Sequence, residues 1–378
     1  MCGIFGVISP KGDNCSKKTL ENISALLYHR GPDHSGYVFY RSEENVIRYS
    51  DAILEQSDTN NLVFLHKRLS ILDLSPSGNQ PMMDETGRYV LIFNGEIYNF
   101  LSLKSNLKQL GYTFKSDTDT EVLLYQLIHY GVNGIQQLEG MYAFAFFDKK
   151  LKKVIVARDP FGIKPCYIIK EKSFFAFSST INALLALPHI KQPTLNFNNY
   201  VPFLRFGATD FNDETLVQGV NHLLPGHHIE IKFDNKNLNY NCTKFFQLNR
   251  QAPEEILTLD EGKTTLLDLL KYSVKQHLIS DVPVCFNLSG GIDSSVLLAV
   301  ASQFKKNITA FTYVADDDEI CEAKYAEIVA SHLGVRLEKI RINPLDFGKD
   351  LEDIIRAQGE PYGGSSIYAQ RKLYEAQA

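Results

Sequence analysis

The sequence predicts two architectures in succession: an α+β layered arrangement of two sheets with helices packed against them, then an α/β parallel sheet covered on both faces. Three observations carry this. The 378 residues are more than one core normally holds. Up to about residue 190, short β-rich runs alternate with turn chemistry and are interrupted by two helical patterns. Beyond about residue 255, apolar strands alternate with helices, the pattern of a parallel sheet.

In the first part, Lys18 to Tyr28 and Thr120 to Tyr130 read as helices. Tyr89 to Phe93 (YVLIF) reads as a strand ending at Asn94-Gly95, a dipeptide that ordinarily marks a hairpin turn. Lys153 to Ala157 and Tyr167 to Ile169 are further strands, with a turn beginning at Asp159 between them. Residues 191–254, rich in Asn, Pro and Gly, read as a connector with strands of its own, among them His227 to Lys232. After it, Leu266, Leu269, Leu270 and Val274 fall at helical spacing and place a helix over about Asp260 to Ile279. The strand Val282 to Leu288, a glycine-containing loop and a helix from Ser294 to Gln303 follow. Then come a strand from Ile308 to Val314, a helix from Cys321 to Leu333, and a last helical segment ending at Ala378. The expected domains are residues 2–190, 191–254 and 255–378.

Bulk properties narrow the function classes. Hydrophobic residues make up 44% and charged residues 22%, the balance of a globular protein. A formal net charge of −5 points to no nucleic acid and no anionic membrane as partner. The apolar runs are too short to cross a bilayer, and the amino terminus lacks a charged n-region, so a cytoplasmic location is expected. The six cysteines are scattered with no C-x-x-C pair, which argues for reduced thiols rather than a zinc or redox site.

Cys2 stands apart by position. Removal of Met1 would leave a thiol and a free α-amine on one residue, and an amine of pKa about 8 can accept the thiol proton near neutrality. Further motifs follow in order over about 160 residues: MCGIFG at Met1, HRGPD at His29, RLSILDL at Arg68, NGEIYN at Asn94, SDTDTEV at Ser116, GMYAFAFFD at Gly140 and ARDPFGIKPCY at Ala157. On these motifs the chain resembles the class II glutamine amidotransferases, the N-terminal-nucleophile hydrolase branch (αββα) found in asparagine synthetases.

The resemblance implies roles. Cys2 would attack the glutamine amide, and the Asn94 side chain with the Gly95 backbone N–H would receive the developing oxyanion. Arg68 would grip the substrate α-carboxylate. Asp119, preferred over Asp117, would meet the α-ammonium together with Glu96. Arg30 and Asp33 look like parts of a loop shielding the thioester, more structural than catalytic. His29 and His66 read as packed residues, since no partner at helical spacing supports a metal site.

The strand VCFNL, loop SGGIDSS and following helix form a phosphate cradle, with glycines for close approach and a helix N-terminus for anions. The loop is not a Walker-type sequence. It resembles the pyrophosphate loop of enzymes that split ATP to AMP and pyrophosphate, an ATP-pyrophosphatase domain of the asparagine synthase type. That resemblance implies ATP as substrate, with Ser289, Gly290, Gly291, Ser294 and Ser295 on the pyrophosphate. Asp293 would help hold Mg²⁺. Leu288 and Tyr313 would border adenine and ribose, and Glu360 would act as general base or positioning group for ammonia attack.

The implied reaction is glutamine-dependent asparagine synthesis, with L-glutamine, L-aspartate and ATP as small-molecule partners and, by analogy alone, a homodimer. Two departures from the family qualify it. Relatives continue beyond the position of Ala378 with a segment completing the nucleotide site, so the second domain is expected to be C-terminally incomplete. Gly363 stands where many asparagine synthetases carry aspartate. The alternatives are the same chemistry on another carboxylate, such as a surface-polysaccharide sugar acid, or glutamine hydrolysis only.

Overall fold

A computed structural model describes residues 1–12, 15–53, 60–190, 192–209, 211–249, 257–315 and 321–377. Its strands are β1 (Gly3–Ile8), β2 (His34–Arg41), β3 (Val46–Ser50), β4 (Leu62–Arg68), β5 (Met82–Met83), β6 (Tyr89–Ile97), β7 (Gly140–Asp148), β8 (Lys153–Arg158), β9 (Tyr167–Lys170), β10 (Phe175–Ser178), β11 (Asn221–His222), β12 (His227–Phe233), β13 (Leu238–Lys244), β14 (Cys285–Asn287), β15 (Thr309–Val314) and β16 (Arg336–Arg341). Its helices are α1 (Lys17–Leu26), α2 (Phe100–Gln109), α3 (Asp119–Tyr130), α4 (Ile181–Leu185), α5 (Phe197–Phe206), α6 (Leu259–His277), α7 (Ile292–Ala301), α8 (Ala323–Leu333), α9 (Phe347–Gln358) and α10 (Ser366–Gln377). The chain divides into two units, Met1–Leu248 with Ala357–Glu360, and Asn249–Arg356 with Pro361–Ala378.

The first unit stacks two antiparallel sheets, ordered β11-β9-β10-β1-β4-β2-β3 and β13-β12-β8-β7-β6-β5. Side chains alternate between the faces of a strand, and the alternation decides the layers. Ile4 and Ile8 of β1 and Leu62 and Phe64 of β4 meet Val90 and Ile92 of β6 in one core between the sheets. Phe5, Val7, Val63 and Leu65 point the other way, onto Leu20 and Ile23 of α1 and Ile181 and Leu184 of α4. On the second sheet α3 lies against β6 and α2 packs on α3. This is the layered αββα arrangement that the sequence predicts. Even-numbered positions of β1, β4 and β6 share the inner layer, and the same alternation carries Cys2, Arg68 and Asn94 onto it at the strand ends.

The structure corrects the reading of Asn94-Gly95 as a turn. Strand β6 runs through the dipeptide to Ile97, with Asn94 opposite Ala143 and Gly95 opposite Tyr142 of β7. A Cβ on Gly95 would overlap the carbonyl oxygen of Met141 and the backbone of Tyr142, so the glycine permits close approach of two strands rather than reversal of the chain. The stretch expected to be a connector supplies β11, paired with β9, and β12, paired with β8. Ile229, Ile231 and Phe233 of β12 belong to the intersheet core.

The second unit contains the parallel sheet β14-β15-β16. Leu288, Leu298, Val300, Ala310, Ala326 and Ala330 form its core, with Val274 of α6. Helix α6 starts at a capping box, Thr258 accepting from the Glu261 N–H while the Glu261 carboxylate accepts from Thr258. The strand expected over Val282 to Leu288 is confined to Cys285–Asn287. Pro283 has no N–H for a ladder, and Ser280 closes a local turn with Val282 instead. Among the described residues no helix is long and apolar enough to cross a membrane.

Candidate active site

The inner layer of the first unit opens into a cavity of about 260 Å³ lined by Cys2, Arg68, Asn94, Gly95, Glu96 and Asp119, together with Gln80, Thr118, Met141 and Lys164. The six residues singled out for the chemistry and binding of glutamine therefore line one cavity. The Leu69 N–H donates to Cys2 Sγ at 3.4 Å, and the thiol lies 3.6 Å from the Leu69 carbonyl. Burial pushes the thiol pKa up, opposed by the Leu69 contact and by nearby positive charge on the amino terminus, Lys164 and Arg68. Arg30 fixes the backbone beside it, its Nε donating to the Cys2 carbonyl at 3.0 Å. Asp33 accepts from the Ser70 N–H at 2.7 Å and so braces the chain after β4. The amino terminus of Met1 has a pKa lowered to about 6 by burial, with Arg30 and Lys164 acting in the same direction.

Asn94 is 1% exposed, yet neither its Nδ2 nor its Oδ1 has a hydrogen-bond partner within the protein. Buried amides are almost always paired. An amide left open at the wall of a cavity is a donor waiting for a ligand.

The motif SDTDTEV divides its labour by helix capping. Thr118 caps α3 by accepting from the Glu121 N–H, and the Glu121 carboxylate gathers the Lys115 and Ser116 N–H groups. Asp117 is turned to solvent, where it pairs with Lys104 at 2.9 Å with its side chain 94% exposed. Asp119 is buried, accepts from the Ile97 N–H at 2.9 Å, and lines the cavity. Burial pushes its pKa up to about 7, Glu96 adding to the shift and the Ile97 bond opposing it. His66 is fully buried with its Nε2 3.0 Å from the Phe93 carbonyl, and burial lowers its pKa to about 3, so it is a neutral packed residue.

Arg68 holds more than the sequence showed. Its Nη1 donates to the Ser75 carbonyl and Asn79 Oδ1, both at 2.9 Å, and its Nη2 to the carbonyls of Leu72 and Asp73. The terminal donors of the fork are thus engaged by the 72–79 loop, and a substrate carboxylate would have to meet Nε or displace a loop carbonyl. Sequence reading also missed Gln80 and Lys164. Gln80 accepts from the Phe93 N–H at 2.7 Å and carries no motif that would have marked it. Lys164 lies inside a motif already noted, ARDPFGIKPCY, and was legible there as a basic residue without a task.

In the second unit a cavity of about 280 Å³ is lined by Leu288, Ser289 and Tyr313, with Phe311, Gln370 and Tyr374 among its other walls. The glycine loop folds on itself beside it. Gly290 has φ +84°, which favours glycine, and a Cβ there would meet Tyr325. The Gly291 N–H donates to Ser289 Oγ at 3.3 Å, and Ser294 and Ser295 both donate to the Gly291 carbonyl. Helix α7 begins at Ile292, so Asp293, Ser294 and Ser295 sit in its first turn. Glu360 is not among the cavity residues; it belongs to the first unit, where its Oε1 accepts from the Leu216 N–H at 2.6 Å. Among the described residues no three His, Cys, Asp or Glu side chains cluster as a metal site. One carboxylate near a phosphate cradle is nonetheless a donor set that suits Mg²⁺ carried by a nucleotide.

A fold with two stacked sheets and an amino-terminal cysteine in an inner-layer cavity defines a class, and comparison with known proteins gives it a family. Residues 1–245 match the family model described as a glutamine amidotransferase domain, and the chain belongs to that family. Residues 265–377 match the model described as asparagine synthase. Asparagine synthetase (glutamine-hydrolyzing) 1 of Bacillus subtilis (strain 168) is 32% identical over 364 residues, covering 94% of this chain and 52% of that protein. Asparagine synthetase (glutamine-hydrolyzing) 3 of the same organism is 32% identical over 325 residues, with coverage of 84% and 48%. A putative asparagine synthetase (glutamine-hydrolyzing) 2 of Methanocaldococcus jannaschii is 28% identical over 393 residues, covering 99% of this chain and 71% of that protein. The chain spans about half the length of the two Bacillus relatives.

Proposed function

We propose that this chain hydrolyses L-glutamine at Cys2 and that its second unit uses ATP to activate a carboxylate acceptor, L-aspartate, for amidation to L-asparagine. The observation that carries the first half is the unpaired, buried amide of Asn94 in one cavity with the Cys2 thiol, the Arg68 guanidinium and the Asp119 carboxylate.

With Met1 removed, the Cys2 α-amine takes the thiol proton and the thiolate attacks the amide carbon of glutamine. The carbonyl oxygen becomes an oxyanion that Asn94 Nδ2–H and the Gly95 N–H stabilise. The protonated amine returns its proton to the leaving nitrogen, ammonia departs, and a thioester remains on Cys2. Water attacks that thioester, the amine again acting as base, and glutamate is released. Arg68 and Glu96 with Asp119 hold the two ends of the amino acid, so that the amide carbon is presented to sulfur.

In the second unit, the α7 first turn and the Ser289–Ser295 loop would hold the pyrophosphate portion of ATP. Asp293 would hold Mg²⁺ together with the nucleotide phosphates, and the ion would supply charge neutralisation there. The acceptor carboxylate displaces pyrophosphate to give an acyl-adenylate, and ammonia displaces AMP from it. Gly363 favours a second reading with the same chemistry on a different carboxylate.

The test separates the two halves. Glutamate formation from L-glutamine is measured for wild type and Cys2→Ala, and pyrophosphate release from Mg-ATP and ammonia with and without L-aspartate. Hydrolysis that needs Cys2 supports the first half, and aspartate-dependent pyrophosphate release supports the second. Hydrolysis surviving in Cys2→Ala would refute the nucleophile, and release indifferent to aspartate would refute the acceptor.

A further inference from the structure

Lys164 is a lysine kept almost wholly out of water, 5% exposed, in the wall of the cavity that holds Cys2. An ammonium in such a place is costly unless the fold has a reason to hold it there. Its backbone is anchored on both sides. The Asp159 carboxylate, itself fully buried, accepts from the N–H groups of Phe161 and Ile163 at Oδ1 and from Tyr142 and Lys164 at Oδ2. Arg158 then closes the loop, its guanidinium donating to the carbonyls of Lys164, Gly162 and Leu223 at 2.8 Å each. Four N–H bonds to one carboxylate and three carbonyls on one guanidinium make a stiff mount between β8 and β9. Neither Asp159 nor Arg158 lines the cavity, whereas Lys164 does.

We propose that Lys164 is a positioning residue for the nucleophile, a buried cation mounted on the Asp159 loop that favours the Cys2 thiolate and disfavours a protonated α-amine beside it. The inference rests on the reading of Cys2 as nucleophile. The charged groups around that nucleophile come from five elements: Arg30 after α1, Arg68 at the end of β4, Glu96 on β6, Asp119 at the start of α3, and Lys164 before β9. Burial alone pushes the Cys2 thiol the wrong way for catalysis, and Lys164 is among the groups that oppose it. The same cation lowers the pKa of the Met1 amine, one residue before the amine that Met1 removal would expose, while Glu96 raises it. Glu96 is also the largest charge compensating the desolvation of Lys164 itself. Arg68 is less suited to the task, because its terminal donors are committed to the 72–79 loop.

The experiment uses the full chain with Met1 removal verified by intact mass, in wild type, Lys164→Met, Lys164→Arg and Cys2→Ala. Alkylation of Cys2 by iodoacetamide is followed by peptide mass spectrometry from about pH 5 to about pH 9, beside kcat/KM for glutamine hydrolysis. Losing the cation raises the pKa of both thiol and amine. Lys164→Met should therefore move the acid limb of both profiles up by about one pH unit, a roughly tenfold slower reaction below it, and Lys164→Arg should restore both. Lys164→Gln replaces the methionine variant should that one fail to fold. Profiles with unshifted limbs, or equal losses in the methionine and arginine variants, would overturn the inference. Glutamine hydrolysis persisting in Cys2→Ala would instead overturn the reading on which it rests.

Discussion

Replacing Asn94 by alanine separates activity from stability in a way that few substitutions do. The side chain is 1% exposed and both of its polar atoms are unpaired within the protein. Together the two orphans cost the fold about 2–6 kcal/mol of uncompensated desolvation. Truncation removes that cost and gives up packing worth about 2–5 kcal/mol. The two nearly cancel, so Asn94→Ala should melt within a few degrees of wild type, at about 2–4 °C per kcal/mol for a unit of this size. Loss of one oxyanion donor costs about 10²–10³ in kcat, or about 3–4 kcal/mol of transition-state stabilisation. KM should move little, because the amide bonds the oxygen only as charge develops there. Steady-state glutaminase kinetics and thermal denaturation on one preparation measure both quantities. A kcat within about tenfold of wild type would refute the oxyanion role. A large drop in melting temperature would show instead that Asn94 is a structural amide.

The buried Asp119 titrates near pH 7, so its charge for the substrate ammonium should fade below that pH. KM for glutamine should rise as the pH falls through about 7, and Asp119→Asn should have a high KM without that dependence. Because its folded pKa lies above the ordinary 3.8, this carboxyl favours the fold fully below that value, and the contribution is lost as pH rises through about 7. Denaturant titrations should accordingly show Asp119→Asn gaining on wild type toward alkaline pH. His66 acts oppositely: burial depresses its pKa from 6.5 to about 3, so its stabilisation is present above the first value and lost as the pH falls toward the second. His66→Gln should flatten the acid side of the stability curve, and an unchanged curve would contradict the neutral, buried imidazole. Asp293→Ala should abolish pyrophosphate release while leaving glutamine hydrolysis near wild type, and an intact ATP reaction would remove Asp293 from the phosphate site.

Much of the first unit was legible because two periodicities carry it. The apolar run YVLIF marks a strand, and the strand's period of two, continued by one residue, puts Asn94 on the same face as Val90 and Ile92. The dipeptide Asn94-Gly95 misled because its turn preference is local, whereas the ladder to Met141 and Tyr142 that requires a glycine is a tertiary contact. Capping chemistry distinguishes Asp119 from Asp117: Thr118 and Glu121 are consumed by the helix start, which turns Asp117 outward. Other features lay beyond a one-dimensional reading. The four loop acceptors on Arg68 come from residues 72–79, whose path no periodicity records. Strand β14 is short because Pro283 interrupts an apolar run that otherwise reads as continuous. Helix α2 went unread although Phe100, Leu103 and Leu107 form its buried stripe, because the exposed Leu101 falls off that stripe and the remaining positions are polar.

The most direct measurement is intact-protein and peptide mass spectrometry of the purified chain after reaction with a diazoketone analogue of glutamine. A chain lacking Met1, carrying one adduct on Cys2 that L-glutamine competes away and that Cys2→Ala fails to form, is the expected result. Glutamine hydrolysis accompanied by an adduct elsewhere, or by full activity with Met1 still attached, would contradict an N-terminal cysteine as the nucleophile of this protein.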